Sequence, residues 1–376
     1  MIFRYPSYYD EFECIADRCE HTCCAGWEID IDDKSYEYYR SVPGAFGERL
    51  NKNIQTYECE DEPLYEQHGF LIDSNLRCPF LDEHGLCEIY RELGEAALCD
   101  VCADTPRNYF EYGGQREVAI SAACPEAARL IYQSEEKTTF VEQEIDETLD
   151  FVESGDEIAL AALIRQAREH AIELLQDREQ DISCRIRKFL EFACEVQAKI
   201  NQTPAPEPVT KPHTMTPYQL FLSRMVSFSR LESISVEWEQ RLADINETIV
   251  ECEEGEERYR QLHSRFREEL EQRNRIYEYE HLLVYYAFMC LPRCMDDYDF
   301  IGKAKLVVTS YLFIRDMDAV CFFKKGEFTT KDRIDSVRIY AREIEHSQHN
   351  MDDLAEDFIF DEAYEPGNLS WAASLV

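Results

Sequence analysis

Cysteines are the side chains of this sequence whose type and spacing could do chemistry. The chain has 376 residues and 16 cysteines, ten of them within the first 124 residues. Nine form two groups and one later position, and we take these nine as candidate metal ligands: Cys14, Cys19, Cys23, Cys24, Cys78, Cys87, Cys99, Cys102 and Cys124. A metal site needs several converging thiolates, and short intervals let one turn supply two of them. The spacing therefore predicts a metal centre.

The identity of the metal stays open on spacing alone. Zinc takes four ligands in a closed tetrahedral site, and a [4Fe–4S] cluster also takes four thiolates. The Cys-x3-Cys-x2-Cys triplet expected for radical use of S-adenosylmethionine is absent, because Cys24 directly follows Cys23 and Gly26 stands where the third cysteine would be. Cys59 lies outside both groups, and we expect it to be structural or exposed.

The sequence shows two kinds of apolar pattern, and these predict the structural elements that position the cysteines. Up to about residue 130, short apolar runs are broken by Gly and Pro, which predicts a small irregular fold held by metal. Residues 27–32 alternate apolar and polar side chains, as a short strand does. Beyond residue 140 the apolar spacing is helical, and it predicts helices over 156–179, 181–200, 218–232, 279–290, 303–316 and 331–346, the last capped by Thr329 or Thr330.

The predicted fold class is mainly α, with a small irregular cysteine-rich metal-binding domain at the N-terminus. Four prolines within residues 203–212 predict a linker, because proline interrupts both helices and central strands. We expect a cysteine-rich metal or iron–sulfur domain over residues 1–135, a helical segment over 136–200, the linker over 201–217 and a C-terminal helical domain over 218–376.

The charge of the chain limits its partners. Acidic residues number 77 and basic residues 39, for a net charge of −38. Such a field repels nucleic acid and anionic membranes, and it attracts a basic partner or a lysine-bearing substrate; solubility alone is the simpler explanation. The sequence shows neither a secretory signal nor a membrane span, so we expect a cytoplasmic protein, in which clustered thiols indicate metal binding rather than disulfides.

Other polar motifs are few. No Gly-x-Gly occurs, so the glycine-rich turns of dinucleotide-binding folds and doubly wound methyltransferases are missing. His281 and His346 are expected to be structural. Paired tyrosines such as Tyr8-Tyr9 and Tyr285-Tyr286 could form an aromatic cage for an ammonium group, although we expect most of them to pack in the core instead. No general base can be assigned from the sequence.

The cysteine motifs resemble a known family. Residues 12–29 (FECIADRCEHTCCAGWEI), with Cys78-Pro79-Phe80-Leu81, Gly85-Leu86-Cys87, Leu98-Cys99-Asp100-Val101-Cys102 and Cys124-Pro125-Glu126, resemble the flagellin lysine-N-methylase family. They are also similar to a broader group of zinc- or iron-chelating cysteine-cluster proteins. The segments 280–286 and 343–347 resemble the helical part of the family. Cys59 and Thr105 have no match to it.

The resemblance implies an enzyme that methylates lysine ε-amines, with S-adenosylmethionine as donor and a [4Fe–4S] cluster on these cysteines. It shifts the expected metal from an even choice between zinc and iron–sulfur to iron–sulfur. The implied partner is a lysine-bearing protein, flagellin-like or another surface protein. The alternatives are a non-catalytic zinc- or iron-binding interaction module and, with less support, an electron carrier.

Overall fold

The computed structural model describes residues 1–25, 27, 29–58, 66–74, 77–148, 153–204 and 215–374. The chain divides into two compact units. One comprises residues 1–12, 109–123 and 127–376, and we call it the helical unit; the other comprises residues 13–108 and 124–126, and we call it the cysteine unit. The prediction of a mainly α protein is confirmed. The four segments assigned from composition stay a prediction.

The strands form two small sheets. Their bounds are β1 Ile2–Pro6, β2 Asp30–Ile31, β3 Ile54–Glu58, β4 Glu66–Phe70, β5 Arg107–Tyr112, β6 Gln115–Ile120 and β7 Phe140–Glu144. One sheet has the order β5-β6-β1-β7, with β1 parallel to β6 and antiparallel to β7; the other has the order β2-β4-β3. The strand predicted within residues 27–32 is present as β2. The N-terminal region is thus less irregular than predicted, because period-2 patterns this short are hard to distinguish from loops.

A pair of glycines makes the turn between β5 and β6. Gly113 and Gly114 have φ values of 58° and 72°. A two-residue turn with both central residues at positive φ matches the right-handed twist of the strands that it joins. The turn places β6 beside β5, and the other edge of β6 pairs in parallel with β1.

Helices make up most of the remaining chain. The short ones are α1 Asp33–Ser41, α2 Gly44–Lys52, α3 Glu88–Leu93, α4 Asp100–Asp104 and α5 Pro125–Tyr132. Those after β7 are α6 Gly155–Leu175, α7 Ile182–Ile200, α8 Pro217–Arg230, α9 Val236–Ile245, α10 Gly255–Gln272, α11 Tyr277–Cys290, α12 Cys294–Asp297, α13 Phe300–Lys325, α14 Thr330–Ile344, α15 Gln348–Phe360 and α16 Pro366–Ala373. None of the described helices is long and apolar enough to cross a membrane.

The predicted helices are recovered with small shifts at their ends. Asp181 caps α7 by accepting a hydrogen bond from the Cys184 backbone, and Thr329 forms a capping box with Asp332 at the start of α14. The helix expected over 303–316 is longer, because α13 continues to Lys325. The proline-rich linker falls largely on residues 205–214, outside the described residues.

Each unit has its own core. In the helical unit, α11 and α13 are buried along nearly their whole length and carry apolar residues on all sides, as central helices do. In the cysteine unit, Phe70 and Phe80 pack with the buried thiols of Cys78 and Cys99. Five of the nine candidate ligands therefore lie in this core or pack against it: Cys24, Cys78, Cys87, Cys99 and Cys102.

Candidate functional site

The backbone of the cysteine unit brings separate parts of the sequence together. The carbonyl of Cys24 accepts a hydrogen bond from the Cys78 backbone at 3.2 Å. A β-bridge joins Leu81 to Cys87. Cys87 and Cys99 each directly precede a short helix, α3 and α4 respectively. Pairing across 54 residues of sequence (24 to 78) thus builds a single group from two motifs.

Six of the nine candidate thiols gather in this group. The side chains of Cys23 and Cys24 are hydrogen-bonded to each other, as are those of Cys99 and Cys102. The six that interact with one another are Cys23, Cys24, Cys78, Cys87, Cys99 and Cys102. Of the other three, Cys14 is exposed, and Cys19 and Cys124 are half-buried. Cys59 lies outside the described residues.

The thiols shift one another's titration. The hydrogen bond with Cys24 and then burial raise the pKa of Cys23, and the hydrogen bond with Cys99 raises that of Cys102. Burial raises the pKa of Cys78 to about 11. The hydrogen bond from Cys102 lowers the pKa of Cys99. The group is therefore mostly protonated as it stands, and a metal that bound here would displace protons.

The thiols are close but do not form a ready-made metal cage. Within the described ranges, no three His, Cys, Asp or Glu side chains are arranged to hold a metal ion. Around the thiols, Cys99 Sγ lies 3.5 Å from the Asp30 carbonyl oxygen, and the Tyr39 hydroxyl donates to the Ala97 carbonyl at 2.7 Å. The surroundings of Cys99 are thus fixed by the protein itself.

A second polar cluster lies in the helical unit, around Glu345 at the end of α14. The Ser121 hydroxyl, just after β6, donates to Glu345 Oε2 at 2.6 Å. The Tyr285 hydroxyl, on α11, contacts Oε1 at 2.9 Å and Oε2 at 3.0 Å, and it accepts from the Ala122 backbone at 2.8 Å. His346 Nε2 lies 3.4 Å from the Ser121 hydroxyl oxygen. Two segments distant in sequence, around Ser121 and Tyr285, therefore hold the carboxylate of Glu345, and Glu345 as a residue is half-buried.

Burial dominates the electrostatics of this cluster. It raises the pKa of Glu345 to about 7, against the hydrogen bonds from Ser121 and Tyr285 that favour the charged form. Burial also lowers the pKa of His346 to about 4, so this imidazole is neutral near neutral pH. A carboxyl that titrates near 7 can exchange a proton under ordinary conditions.

Sequence reasoning missed Glu345. It lies in a segment that the sequence singled out for its resemblance, but so many acidic residues are present that its role had no distinguishing signal. Tyr285 and Tyr286 are adjacent in sequence, and both lie beside this carboxylate. His281 is 3% exposed and meets the Thr138 hydroxyl at 2.8 Å, in keeping with a structural role.

The chain is similar in sequence to proteins of known families. Residues 209–372 match the family model of the FliB lysine N-methylase C-terminal domain. The flagellar biosynthetic protein FliU of Salmonella muenchen is 29% identical over 132 residues, which cover 34% of this chain and 74% of that protein. No solved structure matches.

Two relatives carry the name of an activity. The lysine-N-methylase of Salmonella typhimurium is 27% identical over 146 residues, and that of Salmonella choleraesuis is 24% identical over 153 residues. Each match covers 37% of this chain and 35% of the relative. The chain thus spans about a third of the length of these two proteins. The resemblance to the flagellin lysine-N-methylase family is confirmed.

Proposed function

Because the chain is related to the flagellin lysine-N-methylase family, we propose that it transfers methyl groups from S-adenosylmethionine to lysine ε-amines of a protein substrate. The observation that carries the proposal is the match of residues 209–372 to the FliB lysine N-methylase C-terminal domain. The substrate class is a flagellin-like or other surface protein. A net charge of −38 supports this choice, since the field of the chain attracts cationic lysines.

The proposal includes a [4Fe–4S] cluster on the cysteine unit, with zinc as the alternative. The donor set has the chemistry that either group needs, because six thiols interact within one unit and four thiolates suffice, although the thiols would have to move closer together around the bound group. Cys23, Cys24, Cys99 and Cys102 would supply two pairs of ligands. When bound, the cluster would cross-link the motifs of this unit and place a redox-active group among them.

The chemistry asks two things of the chain itself. A sulfonium methyl is already electrophilic, so the protein must align donor and acceptor and deliver an uncharged amine. The ordinary pKa of lysine is about 10.4, so the ammonium must lose a proton before it attacks. A group that accepts this proton near neutral pH is therefore needed.

Label transfer tests the activity. The full chain is incubated with methyl-labelled S-adenosylmethionine and a lysine-rich surface protein from the same cell, and the modified residues are located by mass spectrometry. We expect the label on lysine side chains. Absence of transfer, together with absence of donor binding by calorimetry, would contradict the proposed activity.

Metal content tests the cluster. Anaerobically purified protein is expected to be coloured and to contain about four irons per cluster. Changing both Cys23 and Cys99 to serine should abolish iron binding, whereas a control with serine at Cys184 and Cys252 in the helical unit should keep it. A colourless protein with stoichiometric zinc would refute the cluster. Zinc together with absent methyl transfer would favour a non-catalytic interaction module.

A further inference from the structure

We propose that Glu345 binds the ε-amine of the acceptor lysine and takes its proton, an inference that rests on the proposed lysine methylation. The site comprises Glu345 with Ser121, Tyr285, Tyr286 and Tyr8. Every one of these residues belongs to the helical unit. The ligand class is a primary alkylammonium, or its monomethylated product.

Most buried carboxylates of the helical unit have a cationic side chain as partner, and Glu345 differs from them in this respect. Arginine neutralises five of them, and Lys325 is the partner of a sixth, Asp332. Asp316 accepts from Arg224 at 2.8 Å, and Glu280 accepts from Arg185 at 2.8 Å. Further pairs of this kind are Glu117 with Arg168, Glu278 with Arg333 and Asp318 with Arg333. Among the described residues, Glu345 has no cation within salt-bridge distance and is held by hydroxyls alone. A cationic ligand would therefore neutralise Glu345, as arginine neutralises these other carboxylates.

Glu343 shows that lack of an arginine partner is not sufficient. Two residues earlier on α14, it accepts hydrogen bonds from the Ile234 backbone at 2.7 Å and the Ser235 hydroxyl at 2.5 Å. Its exposed fraction is 0%, so no ligand can reach it, whereas Glu345 is half-buried. Accessibility together with the missing cation distinguishes Glu345.

The aromatic neighbours suit an ammonium group. Tyr8, Tyr285 and Tyr286 all lie within electrostatic range of the carboxylate. The rings of Tyr285 and Tyr286 meet edge to face, with centroids 5.0 Å apart. Aromatic faces attract cations most strongly where water is partly excluded. The three tyrosines are 9%, 3% and 1% exposed, so they stabilise a cation at the carboxylate from the buried side and do not form an open cage around it.

Only Glu345 titrates near neutral pH within this cluster. Burial raises the pKa values of the surrounding hydroxyls and thiol, and it lowers that of His346 to about 4. The groups that face Glu345 are Tyr8, Tyr285, Tyr286, Tyr340, Cys290, Arg293 and His346. Of these Arg293 is the cation, and its charge favours the carboxylate form. Near pH 7, protonation of the site is therefore protonation of Glu345.

The proposed step balances. The ε-ammonium gives one proton to a carboxylate oxygen of Glu345, which leaves a neutral amine. The nitrogen lone pair forms a bond to the methyl carbon of the sulfonium donor, and the carbon–sulfur bond breaks with both electrons staying on sulfur. The products are a methylated ammonium, a thioether and protonated Glu345, which returns its proton to solvent.

Glu345→Gln tests the inference, with Glu343→Gln as matched control. The glutamine variant should fold, because a carboxyl with a raised pKa is more costly to bury charged than neutral. We expect methyl transfer at neutral pH to fall about 100-fold or more in Glu345→Gln, the range of general-base catalysis, and to fall less than about 3-fold in Glu343→Gln. In the wild type, kcat/KM should rise with pH through about 7; the variant should lose this limb.

Binding gives a readout apart from activity. Nα-acetyl-lysine amide, titrated into the protein and followed by NMR, should bind the wild type more tightly above pH 7 than below it, and Glu345→Gln should weaken binding. Ser121→Ala removes a hydrogen bond to the carboxylate, so it should move the pH limb upward even if Glu345→Gln does not fold. Wild-type activity retained in Glu345→Gln, or a limb unmoved in Ser121→Ala, would overturn this inference. A wild type that methylates no lysine would instead refute the proposed function.

Discussion

The helical unit and the cysteine unit bury reactive side chains in opposite ways. Asp316 on α13 is fully buried, yet Arg224 lies 2.8 Å and His263 3.0 Å from its carboxylate oxygens. In the cysteine unit, the buried reactive side chains are the thiols of Cys78 and Cys99, and their electrostatic neighbours include other thiols rather than a paired cation. One unit supplies both signs of charge itself, whereas the other gathers potential anions of one kind. The helical unit thus neutralises its own buried charges, whereas under the proposed function a bound metal would supply the positive charge that the thiols of the cysteine unit lack.

If the proposed metal is bound, its removal is the change expected to produce the largest difference in stability between the two units. Chelation should unfold residues 13–108, because binding of a structural metal contributes on the order of 10 kcal/mol to small metal-bound folds. The helical unit should stay folded. Hydrogen-exchange mass spectrometry on the full chain checks this, since peptides from the two units are read separately. Equal protection of residues 13–108 before and after metal removal would contradict the idea that a metal stabilises the cysteine unit.

In the helical unit, breaking a buried ion pair should cause the next largest loss in the free energy of unfolding. Asp316→Asn leaves the fully buried Arg224 and Arg315 without their carboxylate. Removal of one partner from a buried pair typically costs about 3–5 kcal/mol. Urea unfolding should show this loss, while the metal content stays at the wild-type level. A variant that loses metal as well would show that the units are not independent in stability.

The same contrast explains what the sequence could and could not predict. The helices after residue 140 were predictable, because their apolar faces repeat with helical spacing and residues such as Asp181 and Thr329 are effective caps. Six of the nine candidate cysteines interact with one another, but their spacing in the sequence did not indicate which six, and their role as metal ligands stays a prediction. Glu345 was not predictable, since its environment comes from Ser121 and Tyr285, which are 224 and 60 residues away in sequence. Burial and partners, which only the fold provides, distinguish it from the other acidic residues.

The degree of burial, rather than charge alone, sets the strength of the ion pairs in the helical unit. A solvent-exposed pair should therefore contribute least to stability. Arg187 and Glu191 lie one turn apart on α7, with a nitrogen–oxygen distance of 3.0 Å and side chains that are 49% and 52% exposed. Solvent screens such a pair, so Glu191→Gln should change the free energy of unfolding by about 0.5 kcal/mol or less. Urea unfolding at low and high salt measures it, and added salt should remove the difference from wild type. A loss as large as that of Asp316→Asn would mean that net charge, and not burial of paired charges, stabilises the helical unit.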